Sequence, residues 1–96
     1  MDKKQKTITN EMAKLITEKS NEVYKLLISK NIAYGNSASS PANIFSKGNA
    51  QDGLCARIDD KLMRIKNAGL NDNTKDTVYD LVGYLILLLI EMDKNE

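Results

Sequence analysis

The sequence predicts an all-α protein, a bundle of three main helices with a short extra helix in the connection at 35–50. Two patterns carry that prediction. Apolar residues recur every three or four positions through three long windows, and the turn-forming residues are concentrated between those windows. The length completes it: 96 residues make a single domain, expected over 8–94 behind a flexible amino-terminal segment at 1–7. A domain this small buries a modest share of its surface, which raises the expectation of a partner subunit, so a dimer or higher homo-oligomer is anticipated.

The first helix is read from Ile8 to about Lys30, where Ile8, Met12, Leu15, Ile16, Val23, Leu26 and Leu27 make an apolar face uninterrupted by proline or glycine. The run Gly35-Asn36-Ser37-Ala38-Ser39-Ser40-Pro41 then breaks the pattern, and Gly48-Asn49 breaks it again. Within this connection Ser40 followed by Pro41 fits an N-cap and first-turn proline, which predicts a short helix over Pro41 to Ser46 carrying Ile44 and Phe45 inward.

A second helix is expected from about Gln51 to Asn67, with Leu54, Ile58, Leu62 and Ile65 on one face. Gly69 stands where a left-handed residue would end it. The third helix is expected from near Thr74 to Asp93, with Asn73 or Thr74 as cap and Asp76 facing the positive end of the helix dipole. It has two apolar sides. Val78, Leu81, Val82, Leu85, Leu88, Leu89 and Met92 form one, and Tyr79, Gly83, Ile86, Leu87 and Ile90 the other. Three helices cannot enclose both, so the second side is expected against another copy of the chain. The apolar run Leu81 to Ile90 is far shorter than the roughly 20 residues of a membrane span, and no membrane partner is expected.

Charge and composition narrow the chemistry. Fourteen basic and 13 acidic residues give a formal net charge of +1, no field for drawing in nucleic acid. A single cysteine, Cys55, allows no internal disulfide, and Met1-Asp2-Lys3-Lys4-Gln5-Lys6 lacks the apolar stretch of a secretory signal, so the cytoplasm is the expected compartment. With no histidine anywhere, catalysis would fall to carboxylates with a hard metal, or to Lys, Tyr or Cys55.

Three constellations remain as candidates. Arg57, Lys61 and Arg64 share one stripe of the second helix with Asp60 beside them; such a stripe suits a phosphate and equally suits a solvated face with local ion pairs. Glu18 with Glu22, and Asp76 with Asp80, have the four-residue spacing that lets two carboxylates share Mg²⁺. Asp80 lies on the second apolar side of its helix, where a carboxylate needs a cation or a metal; Lys19 sits mid-stripe in the first helix, where snorkelling would accommodate it. Tyr34-Gly35-Asn36-Ser37 offers an aromatic ring, a close-approach glycine and two short polar groups, and Tyr79 and Tyr84 could stack on a base or seal an interface.

Taken in order, Tyr34-Gly35-Asn36-Ser37, then Ala56-Arg57-Ile58-Asp59-Asp60-Lys61-Leu62-Met63-Arg64-Ile65, then Asp76-Thr77-Val78-Tyr79-Asp80-Leu81-Val82-Gly83-Tyr84 resemble the small helical bacteriophage proteins of the nucleotide-modification-associated family, itself similar to the MazG-like all-α nucleotide pyrophosphohydrolases. The resemblance spans roughly residues 20–92. It implies a MazG-like bundle, a homo-oligomer in the cytoplasm of an infected bacterial host, and a nucleotide held between helices or subunits by Tyr34, Gly35, Asn36, Ser37, Arg57, Asp60, Lys61, Arg64, Asp80 and Tyr84. Two activities follow from it. One is sequestration of a nucleotide or a cyclic or ADP-ribose-type nucleotide signal of host immunity, an anti-defence sponge with no cofactor required. The other is Mg²⁺-dependent hydrolysis of a nucleoside triphosphate with Asp80, Asp60 and Glu22 on the metal. The Glu-Glu-x-x-Glu block of MazG-like enzymes is missing here and Ala33 stands before Tyr34-Gly35 where an acid is expected, so the cationic stripe favours binding.

Overall fold

The computed structural model describes residues 3–33, Ser39 and 48–94. Three helices account for nearly all of them: α1 (Lys3–Ala33), α2 (Ala50–Ala68) and α3 (Lys75–Lys94), with a 3-10 turn at Asp72–Thr74 leading into α3. No strand occurs among the described residues. The short helix expected at Pro41 to Ser46 lies outside them. No helix among them is long and apolar enough to cross a membrane.

Helix α1 starts five residues before the first apolar position, because Lys3 to Thr7 contains no residue that breaks a helix. Its 31 residues extend about 46 Å at 1.5 Å per residue, well beyond either of the other helices. Asn49 caps α2: its side-chain oxygen accepts the Asp52 amide at 2.8 Å, and Asp52 adds a negative charge to the first turn. At the other end the Gly69 amide donates to the Ile65 carbonyl at 2.8 Å. Gly69 has φ 79° and ψ −179°, a region open to glycine almost exclusively.

The turn from α2 to α3 is built by Asn71 and Thr74, which corrects the expected cap at Asn73 or Thr74. Asn71 Oδ1 accepts the Asn73 amide at 2.9 Å, its Nδ2 donates to the Ala68 carbonyl at 2.9 Å, and its amide donates to Thr74 Oγ1 at 3.0 Å. The Thr74 hydroxyl in turn donates to the Gly69 carbonyl at 2.7 Å. Cap and partner are reciprocal, so one short polar network closes the end of α2 and opens α3.

Helices α2 and α3 form the tightest pairing, an antiparallel hairpin in which Arg57 and Lys61 lie opposite Tyr84 and Asp80. Helix α1 crosses this hairpin on the α3 side and runs in the same sense as α3, since Glu22 meets Tyr79 and Leu27 meets Gly83. The described core is small: Leu54, 1% exposed, is its one fully enclosed apolar side chain. Thr74, Thr77 and Glu91 are buried polar residues. The radius of gyration, 16.8 Å, exceeds the roughly 13 Å of a compact chain this long, and the extents are 58 × 35 × 25 Å.

The covered side of α3 cuts across the two expected ones: Leu81 and Leu88 of the first are covered, while Ile86 and Ile90 of the second are exposed. Positions 77, 81, 84, 88 and 91 are covered, and Gly83, expected against another copy, is buried with Leu27 Cδ1 3.4 Å from where its Cβ would stand. Val78, Val82, Leu85, Leu89 and Met92, expected inside, face outward. Packing rather than hydropathy decides this: the covered line accommodates Thr77 and Glu91, and glycine lets α1 approach closely.

Two stability changes follow. Gly69→Ala should cost about 1–3 kcal/mol through backbone strain alone, because no atom crowds the site; an unchanged urea midpoint would refute it. The Thr77 hydroxyl is buried without a hydrogen-bond partner among the described residues, so Thr77→Val should be neutral or stabilising by up to about 1 kcal/mol in the same titration.

Candidate functional site

Where α1 crosses the hairpin, the three helices leave a cleft of about 380 Å³. Its polar side is formed by Lys30 and Asn31 from α1, Arg57 and Lys61 from α2, and Asp80 from α3; its rings are Tyr79 and Tyr84; Val23, Leu26, Leu27, Gly83 and Leu87 make the apolar floor. Local sequence explains the arrangement. Arg57 and Lys61 are one turn apart on α2, and Asp80, Gly83, Tyr84 and Leu87 repeat at three- and four-residue spacing along α3.

Asp80 is the centre of the cleft. Lys30 Nζ bonds to its Oδ1 and Lys61 Nζ approaches Oδ2 at 3.3 Å, so a carboxylate on α3 joins ammonium groups from α1 and α2. Its partial burial pushes the carboxyl upward, yet the hydrogen bonds and charges of Lys30 and Lys61 together prevail and hold it below the ordinary carboxylate range. The expectation that Asp80 requires a cation is met by two lysines. Arg57, exposed at the rim, makes no ion pair among the described residues, and its guanidinium is available to an anion.

A second cluster holds Tyr79 at the rim. Its hydroxyl donates to Glu22 Oε2 at 2.7 Å, Lys19 Nζ donates to the same Glu22 oxygen and to the Tyr79 oxygen, each at 3.1 Å, and the ammonium lies 5.7 Å from the ring centroid. The Tyr79 hydroxyl, and next Lys19, lower the Glu22 pKa; Tyr79, and next Glu22, raise that of Lys19. Lys19 thus has specific partners across the α1–α3 contact, where snorkelling was expected. At the far end of α3, Ser39 Oγ donates to Glu91 Oε1 at 2.5 Å and Lys94 approaches the same oxygen at 3.2 Å, which lowers the Glu91 pKa and fastens the connection to α3.

Of the residues singled out in the sequence, Arg57, Lys61, Asp80 and Tyr84 come together in the cleft. Arg64 and Asp60 do not line it. Arg64 donates to the Asn73 carbonyl at 3.4 Å, one turn too far along α2 and directed to the interhelical turn. Tyr34, Gly35, Asn36 and Ser37 lie outside the described residues. Asp80, Asp60 and Glu22 do not converge: no group of three acidic or cysteine side chains among the described residues could hold a metal ion. Glu22 is engaged with Lys19 and Tyr79, and Asp80 with lysines. Lys30 escaped attention in the sequence because a basic residue in a last helical turn already serves the dipole.

The lowered pKa has a definite sign. The stabilisation from Asp80 is present above its unfolded-state pKa, about 4, and is lost as the pH falls through the lower folded-state value. Asp80→Asn should therefore unfold at lower urea than the parent at pH 7, with the difference shrinking towards pH 3; a constant difference would show that the carboxylate charge contributes nothing. Compared with known proteins, the chain matches no family model, no curated protein and no solved structure, so the meaning of the cleft rests on its own side chains.

Proposed function

We propose that this chain is a nucleotide-binding protein that sequesters its ligand in the α1–α2–α3 cleft, acting as a homo-oligomer through α3. The observation that carries the reading is the composition of one cleft: three cations, Lys30, Arg57 and Lys61, around a single carboxylate, next to two tyrosines. Cationic side chains, Arg57 at the rim foremost, suit phosphate, the rings suit a base, and the volume lies in the range of small-ligand sites. Asp80 acts as an internal counter-ion. It sets the two lysines at the cleft without consuming all three donors of the Lys61 ammonium, and it marks where an anion's charge is accommodated.

The resemblance to the phage nucleotide-modification-associated family supports a nucleotide as the ligand, in particular a signal nucleotide of host immunity. Sequestration is favoured over Mg²⁺-dependent hydrolysis because the acids proposed for the metal are apart and two of them are engaged with other side chains.

The purified chain, incubated with pooled ribonucleoside triphosphates and bacterial nucleotide extract plus Mg²⁺, should release an unaltered nucleotide on heating, as read by mass spectrometry. Nucleoside triphosphate converted to monophosphate in solution would establish the hydrolase instead, and no retained nucleotide would remove the site. For the ligand recovered, Arg57→Ala should weaken binding roughly 10- to 100-fold, the worth of one charge-assisted contact. Arg64→Ala should leave affinity within about twofold, since that side chain faces the turn. Equal losses in both variants would place the ligand elsewhere on α2.

A further inference from the structure

The outward side of α3 has a regularity that a single copy of the chain does not use. Val78, Val82, Leu85, Leu89 and Met92 are spaced four, three, four and three residues apart, all exposed, Leu89 by 61%. That alternation is the seam of a coiled coil, and it runs about 21 Å along the helix. Beside it a shallow groove between α1 and α3 brings Val23 next to Val78, Val82 and Ile86. The same side of α1 continues through Ile16 and Met12, both more than half exposed.

The length of α1 matters here. It meets α3 from Lys19 onward, at Tyr79, four residues into α3, and runs in the same sense, so its first dozen residues project beyond the amino end of α3 by roughly 18 Å. Met12, Leu15 and Ile16 on this arm are each more than half exposed. The accessible surface is 7738 Å², against roughly 5,500 Å² for a compact monomer of this mass. The excess is more than the roughly 800 Å² that one partner gives to a standard interface.

We infer that this surface is an interface between two copies of the chain, with their α3 helices antiparallel about a two-fold axis at Leu85. The inference rests on the homo-oligomer reading and assigns the face, the orientation and the register. Self-complementarity selects a second copy as the occupant: about an axis at Leu85, Val78 comes opposite the partner's Met92, and Val82 lies within one residue of the partner's Leu89. Charge selects the antiparallel sense. Lys75 continues the seam at the positive end of α3 and Asp93 flanks it at the negative end, so antiparallel helices bring unlike ends together, whereas parallel ones stack Lys75 on Lys75. The cleft opens between α1 and α2 on another side of α3, so pairing leaves it accessible.

The test is cross-linking of full-length protein in a Cys55→Ser background, which removes the exposed native thiol. Leu85→Cys should be captured as a covalent dimer by a short bismaleimide. Val78→Cys alone should stay uncrosslinked, and a mixture of Val78→Cys with Met92→Cys should cross-link. Efficient capture of Val78→Cys with itself would overturn the antiparallel register. Light scattering on the parent protein should give twice the 10.7 kDa chain mass. A parent that is oligomeric but not captured at Leu85→Cys would overturn the face while keeping the oligomer, and a parent monomeric at 100 µM, on the order of the highest concentration the assay uses, would overturn both. Leu89→Glu should yield a helical monomer; a dimer persisting in it would refute the seam.

Discussion

One carboxylate ties the three helices together. Asp80 on α3 takes an ammonium from α1 and another from α2, at the place where α1 crosses the hairpin and where little apolar surface is enclosed. In a chain whose described core contains one fully buried apolar side chain, such a polar junction carries orientation that packing alone would leave loose. The junction is also the wall of the cleft. Lys30 and Lys61 are set by Asp80, Tyr79 is set by Glu22 and Lys19, and Gly83 lets Leu27 come close enough for these pairs to meet. The arrangement that fixes the crossing of α1 therefore also presents cations and rings to a common space.

The same geometry explains the chain's apolar exterior. Helix α1 contacts its neighbours through the segment from Lys19 to Asn31, and the hairpin covers α3 along positions 77, 81, 84, 88 and 91. What remains is a long arm and a regular seam, each with apolar side chains facing water at a cost of roughly 25 cal/mol for every Å² left uncovered. The proposed two-fold interface would cover the seam and leave the cleft on a separate side. The proposed binding and assembly surfaces thus lie on different faces of one helix, with Asp80, Tyr84 and Leu87 on the first and Val82, Leu85 and Leu89 on the second.

Several of these features were legible from residue order. Gly69 ends α2 because the apolar period stops there and glycine alone tolerates the backbone angles. Asp80 was recognisable as a charge in need of a partner, since it recurs on an apolar line. The cap before α3 was displaced by two or three residues: Asn71, Asn73 and Thr74 can all cap, and the choice depends on which carbonyls of α2 lie within reach. Arg64 belongs to the same sequence stripe as Arg57 and Lys61, yet the stripe is longer than the cleft, and its last member reaches the turn.

Residue order by itself determined that the chain is helical, that α2 ends at Gly69, and that α3 has apolar residues on more than one side. These depend on local quantities: periodicity, capping groups and backbone strain. Only the tertiary structure decided which side of α3 is covered, which lysines meet Asp80, and that Glu22 and Asp60 stand apart from it. The physical reason is that hydropathy ranks side chains without locating the neighbouring helix. Here a small residue at 83 and long side chains at 30 and 61 set the approach of α1, and that approach turns an apolar line outward while enclosing Thr77 and Glu91.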